Sequence, residues 1–451
     1  MTYTPITDTT VTLDTLSVNQ RGFGIPLVLD EHNFTLERIK FYSSITDAAV
    51  DLPSYSKAYK AIQAAFSVNP KPELVALGRR KCDATLLPDA SPLVGDVHSV
   101  RISYGSTFTD ISVTAGASPT VTSVGAALAA AINGVPAVAA VLTATSVAGL
   151  VTLAPVGTGV FKLSSAVKLT IGKVSSVETA STTMAAVMAE SVDFYNIFET
   201  GRDATYIQDL SAWVAATDYV MSYATSLSTT YSTDYSEVSA DFPSVMKRAG
   251  RPRNINCVYA QADQLDLFPE VRIFSVRARN QPGDVIYSNL TNLGIQPAKT
   301  ASGLLLTKTE LGRLDARGLG YFEYVFGVVT FRRGRSQGAG ESAWSDDQVV
   351  ADFLKARINE AVATRFFNTN AEKLAGRAGY IQIANVIQDV CDRMTSNSTA
   401  SRAFQEGSVQ IYIPTDEEIR AARPGRKADM KVTAKLEGAW DSAEISVTLS
   451  Y

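Results

Sequence analysis

The sequence has 451 residues, of which 46% are hydrophobic and 19% charged, and its formal net charge is −4. This composition is typical of a folded chain of about two to four domains, and it excludes an intrinsically disordered protein. The acidic balance also argues against nucleic acid as a bulk partner, because phosphate binding requires clustered excess positive charge.

The first segment, residues 1–20, is rich in threonine and contains no lysine or arginine. Apolar residues alternate with polar ones around Val11 and Leu13, and Leu16 follows. This alternation predicts a strand, and a lone two-faced strand is not stable in water. We therefore expect this N-terminal arm to pair with another sheet. No secretory signal is expected, since the first basic residue is Arg21 and no apolar signal core precedes it.

The pattern in residues 21–87 and 190–335 predicts a layered α/β domain. A short apolar run at 25–29 precedes an amphipathic helix at 54–68, and the same texture resumes at 193–198. Buried strands that alternate with amphipathic helices are typical of a sheet covered by helices.

Residues 88–189 differ in texture and predict a small β-rich α+β domain inserted into the α/β layer. Short strands surround one alanine-rich helix that carries Val124, Leu128 and Ile132. The stretch 111–161 contains no charged residue, so we considered a membrane span. Prolines and small polar residues interrupt it, and no window provides ~20 strongly apolar residues, which argues against a spanning helix.

Residues 336–442 predict a C-terminal α+β domain. Its first helix begins near Ser345, followed by acids that the helix dipole favours, and a second helix follows from about Tyr380. The apolar period then changes to two, which predicts strands. The alternating residues are Val409, Ile411, Ile413, Val432, Ala434 and Leu436 in this domain, and Ile445, Val447, Leu449 and Tyr451 in a C-terminal arm at 443–451.

Signatures of catalysis, cofactor binding and metal binding are missing from the sequence. Neither a GxGxxG nor a GxxxxGK[ST] motif is present, and HExxH is absent. The histidines, His32 and His98, fall in different predicted domains, where we expect structural or surface roles. Cys82, Cys257 and Cys391 lie too far apart for a metal knuckle or a disulfide framework. We therefore expect no enzyme, cofactor or metal; an α/β hydrolase or carbohydrate-active enzyme is the catalytic alternative.

The positive signals concern assembly. Both ends of the chain carry a predicted strand, and adding such a strand to a neighbour's sheet satisfies a row of backbone donors and acceptors. Between identical copies such a contact is heterologous and generates rings or open helices. In the alternative, both end strands complete sheets of their own domains.

Several stretches resemble the contractile-tail sheath proteins of myovirus-type bacteriophages. They are WSDDQVVADFLKARINEAV at 344–362, IRAARP at 419–424, KVTAKLEGAW at 431–440 and EISVTL at 444–449. One branch of that family is also similar at VTL (11–13), QRGFG (20–24), SPTV (118–121) and AALAAAI (126–132). The resemblance covers most of the chain in order and is weakest between residues 222 and 252.

The resemblance implies a structural subunit of the virion tail, assembled in the host cytoplasm. Sheath subunits form rings, commonly hexameric, that stack helically around a tail tube, and contraction drives the tube through the host envelope for genome ejection. Each C-terminal domain holds a small sheet completed by exchanged N- and C-terminal arms of neighbours. The implied partners are other copies, the tube protein, and baseplate and neck or terminator proteins, with no direct nucleic acid contact and no membrane insertion.

A second hypothesis places the helix that starts near Ser345 against the tube, with Lys355, Arg357 and Arg365 meeting an acidic partner. The alternative is that these residues are ordinary solvated helix charges. Two other functional classes also stay open. The chain could be the sheath of a related bacterial contractile injection system, or a self-assembling surface-layer protein, although the latter should carry an export signal.

Overall fold

A computed structural model of the chain describes residues 21–157, 159–174, 178–236, 238–284, 286–339, 343–368, 376–395, 403–422 and 430–436. Contacts divide these residues into two compact units. The α/β unit comprises residues 22–280 and 286–348, and the C-terminal unit comprises Arg21, residues 281–284 and the described residues from Val349 onward. The domain limits expected from the sequence, including the boundary at 336, remain predictions.

The α/β unit contains nineteen strands among its described residues. In chain order they are β1 (Pro26–Glu31), β2 (Ile39–Tyr42), β3 (Val75–Arg80), β4 (Asp83–Pro88), β5 (Val97–Tyr104), β6 (Thr107–Thr114), β7 (Leu142–Val147), β8 (Leu150–Pro155), β9 (Lys162–Val167), β10 (Leu169–Val174), β11 (Asn196–Glu199), β12 (Val220–Ser222), β13 (Ala224–Thr225), β14 (Arg251–Ile255), β15 (Val258–Tyr259), β16 (Leu290–Thr291), β17 (Tyr321–Val325), β18 (Val328–Arg332) and β19 (Ser336–Gln337).

Ten α-helices lie between these strands, together with a 3₁₀ helix at Ala262–Leu267. They are α1 (Ile45–Asp51), α2 (Lys57–Phe66), α3 (Val121–Asn133), α4 (Pro136–Ala139), α5 (Ala180–Met188), α6 (Ala204–Ala215), α7 (Thr229–Ser232), α8 (Phe242–Arg248), α9 (Pro269–Ser275) and α10 (Lys308–Ala316). Helix α8 begins at Phe242 because the Asp241 carboxylate accepts a hydrogen bond from the Ser244 backbone N–H and thereby caps the helix N-terminus.

A seven-stranded sheet organises the α/β unit, in the order β19-β14-β12-β11-β1-β3-β2. The five inner strands are parallel, and the two edge strands run antiparallel to their neighbours. Every residue of β1 and β3 is buried, as expected for parallel strands whose two faces are both covered. The mixed α/β class predicted from the sequence is confirmed.

Two smaller antiparallel sheets occupy the region between β4 and β10, in the orders β10-β4-β8-β7 and β6-β5-β9. Helix α3 buries Val124, Leu128 and Ile132, the apolar row expected from the sequence. A Cβ atom on Gly125 of this helix would lie 2.4 Å from the carbonyl oxygen of Gly149, so only glycine allows this close approach.

The C-terminal unit contains helices and one short two-stranded sheet. Helix α11 (Ser345–Asn368) begins at the predicted residue, and α12 (Gly376–Thr395) and α13 (Asp416–Ala422) follow. The strands are β20 (Gln410–Tyr412) and β21 (Lys431–Thr433). Helix α12 buries the apolar row expected from its spacing, namely Ile383, Ile387, Val390 and Met394. Among the residues described, no helix is long and apolar enough to span a membrane.

Candidate functional site

The two-stranded sheet of the C-terminal unit is where the sequence placed the receiving site for exchanged arms. Strands β20 and β21 pair antiparallel, with Ile411 opposite Val432, and an isolated bridge joins Phe404 to Leu436. Ile411 and Val432 pack on the cluster of α12 residues around Ile383, and the residues on either side of them in each strand are exposed. We call this two-stranded sheet the ribbon.

All six predicted receiving residues lie in or beside the ribbon. Val409, Ile411 and Val432 pack on the α12 cluster. Ile413 and Ala434 are half-buried just beyond the strand ends, and Leu436 is 37% exposed. The structure therefore brings these residues together, and their role as receivers of a neighbour's strand remains a prediction.

The ribbon has two open edges within the described part of the chain. No third described strand pairs with β20 or β21. Isolated two-stranded sheets are marginally stable in water, and an unpaired edge presents a row of backbone N–H and C=O groups to any incoming strand. The geometry can accept a strand on either side without disturbing the apolar face that packs on α12.

The predicted arm residues lie outside the described residues: Val11, Leu13, Leu16, Ile445, Val447, Leu449 and Tyr451. The described chain starts at Arg21, whose main chain is held by helix α11. The Arg21 backbone N–H donates to Glu360 Oε1 at 2.7 Å, and its carbonyl oxygen accepts from Arg357 Nη2 at 3.1 Å. Arg357 and Glu360 also form an ion pair with each other. We call this arrangement the Arg21 clasp.

The three cations proposed to face a tube have different surroundings. Arg357 belongs to the Arg21 clasp, and Arg365 Nη2 donates to Gln382 Oε1 at 2.7 Å on helix α12. Lys355 is exposed on α11. Arg357 and Arg365 therefore have structural contacts within the C-terminal unit, and the tube-facing role of the set remains a prediction.

The hairpin formed by β17 and β18 carries an apolar tip that the sequence reasoning did not single out. Its two turn residues are Phe326, at φ 49°, and Gly327, at φ 84°. Positive φ at both central positions is the requirement of a type I′ turn, which favours Asn-Gly and disfavours phenylalanine. The Phe326 side chain is fully exposed, and Tyr324 and Val328 beside it are about half exposed. The sequence signal that could have predicted this turn is the Phe326-Gly327 pair between two apolar runs.

A buried charged cluster, also missed from the sequence, lies at the carboxyl ends of β1, β3 and β11, where ligands often bind in open α/β sheets. It includes Asp30, Glu31, His32, Arg80 and Glu199, all less than 10% exposed. Burial raises the pKa of Glu199 to about 7, although the backbone amides of Arg202 and Gly201 donate to its carboxylate. Burial also acts to raise the pKa of Asp30, but the hydrogen bond and charge of His32 outweigh it and hold that pKa below its usual value.

The members of this cluster form hydrogen bonds and ion pairs with one another and with neighbouring residues. Thr200 donates to Asp30, and His32 bonds to Thr35 at 3.2 Å. Glu31 pairs with Arg80 at 3.0 Å and with Lys173 of β10 at 2.7 Å, which ties the smaller sheets to the parallel sheet. A cavity of about 160 Å³ lies beside His32 and Lys173. This arrangement is a structural joint in which each of the three acids has a named partner.

The three cysteines and His98 are buried. Cys82, Cys257 and Cys391 are buried free thiols, and burial raises the pKa of Cys82 to about 12. Within the described ranges, no group of three or more His, Cys, Asp or Glu side chains could hold a metal ion. His98 is fully buried and its Nδ1 lies 3.0 Å from the Lys168 carbonyl oxygen, a structural role as expected.

Comparison with known proteins gave matches among solved structures only; no family model and no curated protein matches the sequence. The chain is similar to the PVC sheath complex of an extracellular contractile injection system in its contracted state, with a TM-score of 0.55 and 10% identity over 99% of this chain and 98% of that one. It is also similar to a chain of the anti-feeding prophage baseplate, 6-fold symmetrised, with a TM-score of 0.53 and 9% identity over 100% of both chains.

A third match is the anti-feeding prophage baseplate in its contracted state, with a TM-score of 0.53 and 11% identity over 100% of this chain and 99% of that one. The chain thus shares its fold with the sheath complex of a contractile injection system, and the resemblance inferred from the sequence is confirmed at the level of the fold. The matched structures are a sheath complex and two baseplate structures.

Proposed function

We propose that this chain is the structural subunit of a contractile sheath, which polymerises as stacked rings around a tube and contracts to drive the tube through a cell envelope. The observation that supports it most is the likeness, over 99% of the chain, to a sheath complex in its contracted state. The ribbon, with an apolar face packed on α12 and two open edges, is the feature that such an assembly requires.

Strand exchange would link the subunits. The N-terminal arm, about 4–18, and the C-terminal arm, 443–451, would each add to the ribbon of a neighbouring copy and convert two strands into a four-stranded sheet. Main-chain hydrogen bonds supply the affinity, and alternate side chains such as Val447 and Leu449 supply the register. Because donor and acceptor surfaces differ, the contact is heterologous and propagates into rings, hexameric by the family resemblance, or helices.

Contraction needs two arrangements of the subunits that differ modestly in free energy. Exchanged strands keep neighbours connected while polar contacts between subunit bodies are traded for others. A small difference for each subunit, multiplied over many copies, suffices to drive a cooperative transition in one direction.

The partners would be other copies, a tube protein, and baseplate and neck or terminator proteins. The sequence resemblance favours a phage virion tail, assembled in the host cytoplasm, with genome ejection as the outcome. A second candidate is a contractile injection system outside a phage particle, since the matched sheath is described as part of an extracellular contractile injection system. A tube partner would meet the exposed Lys355 on α11 most directly.

Electron microscopy of the purified full chain, alone and with its tube protein, tests the proposal. We expect long striated tubes. Removal of residues 443–451 should leave a folded body, with unchanged circular dichroism, that stays monomeric in sedimentation. Long tubes formed by this truncated chain would contradict the exchange of C-terminal strands.

Two matched full-length variants test whether the side chains on one side of the C-terminal arm matter, or only the presence of an arm of full length. Val447→Asp with Leu449→Asp places charge on the apolar side of the C-terminal arm and should abolish tubes. Ser446→Asp with Thr448→Asp places the same charge on the other side and should leave tubes at comparable yield. Equal loss in both pairs would contradict the predicted register.

Charge reversal tests the tube-facing hypothesis. Lys355→Glu is the single change at the exposed position of the set, and the triple reversal is the stronger one. We expect weaker tube-templated assembly with unchanged self-assembly. Unchanged templating in both variants would favour ordinary solvated charge.

A further inference from the structure

A groove in the C-terminal unit remains without a role in the proposed strand exchange. It lies between helices α11 and α12 and has a volume of about 500 Å³. Its apolar lining comes from Phe353 and Ala361 on α11 and from Val390 and Met394 on α12. The side chains at its rim are Arg357, Glu360, Thr364, Asp389 and Arg393, with Gln281.

The described chain starts at this groove. The two residues that form the Arg21 clasp, Arg357 and Glu360, are also two of the groove residues. The Arg21 backbone N–H donates to Glu360 at 2.7 Å. The residue before Arg21 is therefore covalently fixed within one peptide unit of the rim. Any path of residues 1–20 must begin here.

Charge favours an uncharged occupant. The rim cations are each neutralised by an acid on the same helix, Arg357 by Glu360 and Arg393 by Asp389. The six residues that precede Arg21 read TLSVNQ and carry no charge. In that run Leu16 and Val18 are two positions apart, so in an extended backbone both would point to the same side. A neutral rim around an apolar floor matches a neutral segment with one apolar side.

The lengths also match. The groove residues on α11 run from Phe353 to Thr364, a distance of about 16 Å at the helical rise per residue. Five extended residues span at most about 17 Å. Residues 16–20 are thus long enough to follow the groove from the clasp to either of its ends, and the remaining fifteen residues stay available as an arm.

We propose that Leu16 and Val18 occupy the groove of their own chain. The N-terminal arm then has two parts: a base, 16–21, seated in the same subunit, and an outer strand that carries Val11 and Leu13 to a neighbour. The exchanged strand is thereby shortened from about 4–18 to about 4–15. The seated base determines where the outer strand leaves the subunit. The role of the outer strand depends on the proposed function. The seating of Leu16 and Val18 in the groove does not depend on it.

Disulfide trapping in the full chain tests the seating. Val18→Cys combined with Ala361→Cys should form an intramolecular disulfide on mild oxidation of dilute protein, seen as the loss of two hydrogens in the intact mass. Asn19→Cys with Ala361→Cys is the matched control, because residue 19 would point to the opposite side; we expect at least about tenfold slower trapping. The single-cysteine variants are the controls for disulfides formed with any of the three buried native thiols.

Mixing isotopically labelled and unlabelled chains shows whether the groove is occupied by the arm of the same chain or by the arm of a neighbour. A disulfide confined to one chain supports the proposal. A disulfide that joins labelled to unlabelled chains shows that the groove takes a neighbour's arm and overturns it, as does equal trapping of residues 18 and 19 or no trapping at all. Thermal melts of both double variants verify that they fold.

A second measurement does not depend on disulfide geometry. Ala361→Trp fills the groove, and hydrogen exchange of residues 16–20 should then accelerate at least about tenfold, while Ile381→Trp, at an exposed α12 position, should leave it unchanged. Unchanged exchange in Ala361→Trp contradicts the seating. If the disulfide forms within one chain but the protein never forms tubes, the sheath function is refuted and the seating is retained. If tubes form but no disulfide does, the seating is refuted and the sheath function is retained.

Discussion

The α/β unit and the C-terminal unit treat the backbone of their sheets in opposite ways. In the α/β unit, the central strands β1 and β3 are buried at every residue and have a paired strand on each side. In the C-terminal unit, the two strands of the ribbon have three residues each, most of them exposed. The first sheet is completed by its own chain. The second has a packed face and, among the described residues, unpaired edges, the state in which a sheet accepts a strand from elsewhere.

The two units also differ in how they stabilise charge and apolar surface. The α/β unit contains fully buried ionic groups with several partners, as at Arg317, which donates to Asp241, Ser244 and the carbonyl oxygen of Thr233. The ribbon rests on a small cluster whose fully buried members are Ile383, Ile387 and Cys391. Changes in the α/β unit should therefore alter stability, and changes in the ribbon should alter assembly. Four variants test this division.

The largest expected effect comes from Asp241→Ala. It leaves the buried guanidinium of Arg317 without its carboxylate and removes the cap of helix α8. We expect a loss of about 3–5 kcal/mol in the free energy of unfolding, measured by urea denaturation. Asp241→Asn keeps a capping oxygen and removes only the charge, so its loss should be smaller. Equal losses in the two variants would show that the ion pair and not the cap dominates.

The second effect concerns pH. The pKa of Glu199 is raised from 4.5 to about 7 by burial, a difference that corresponds to about 3 kcal/mol. Since the folded state binds the proton more tightly than the unfolded state, this group makes stability fall as pH rises from about 4.5 to about 7. Glu199→Gln should flatten that slope between pH 5 and 7.5. An unchanged slope in the variant would assign the pH dependence to other groups.

Ile411→Ala tests the ribbon. The side chain is half-buried against the α12 cluster, so we expect a loss of only about 1–2 kcal/mol. Tube formation should nevertheless be lost, because the packed face of the receiving sheet is weakened. Gln410→Ala, on the exposed side of the same strand, should change stability by less than about 0.5 kcal/mol and leave the tubes intact. A folded Ile411→Ala chain that still forms normal tubes would contradict the assembly role of the ribbon.

The smallest effect on folding is expected for Phe326→Asn. Asparagine tolerates positive φ in a type I′ turn, so the variant should be as stable as the parent or more stable by up to about 1 kcal/mol. If the exposed tip is a contact between subunits, the same variant should raise the concentration needed for assembly. Phe108→Asn is the matched control, because the Phe108 ring is also exposed but already has a contact within its own chain. The Arg101 guanidinium lies 4.0 Å from the centroid of that ring.

The elements that could be predicted from the sequence are those set by local periodicity. The apolar rows of α3 and α12 follow from helical spacing, and the alternation around Ile411 and Val432 indicates paired strands because side chains alternate across a strand. The start of α11 at Ser345 agrees with the acids of its first turn, Asp346 and Asp347, which the helix dipole favours. Each of these signals is contained within a few consecutive residues.

Tertiary structure alone decided which distant residues meet. Residues 170 positions apart, Asp30 and Thr200, become neighbours because β1 and β11 are adjacent in a parallel sheet. Arg21 meets Glu360 across 339 positions, and no local pattern encodes which helix a distant residue will contact. The sequence by itself determined the types of its segments, since periodicity and capping are short-range. Strand order, the buried charged cluster and the Arg21 clasp depend on long-range packing, which short-range patterns do not encode.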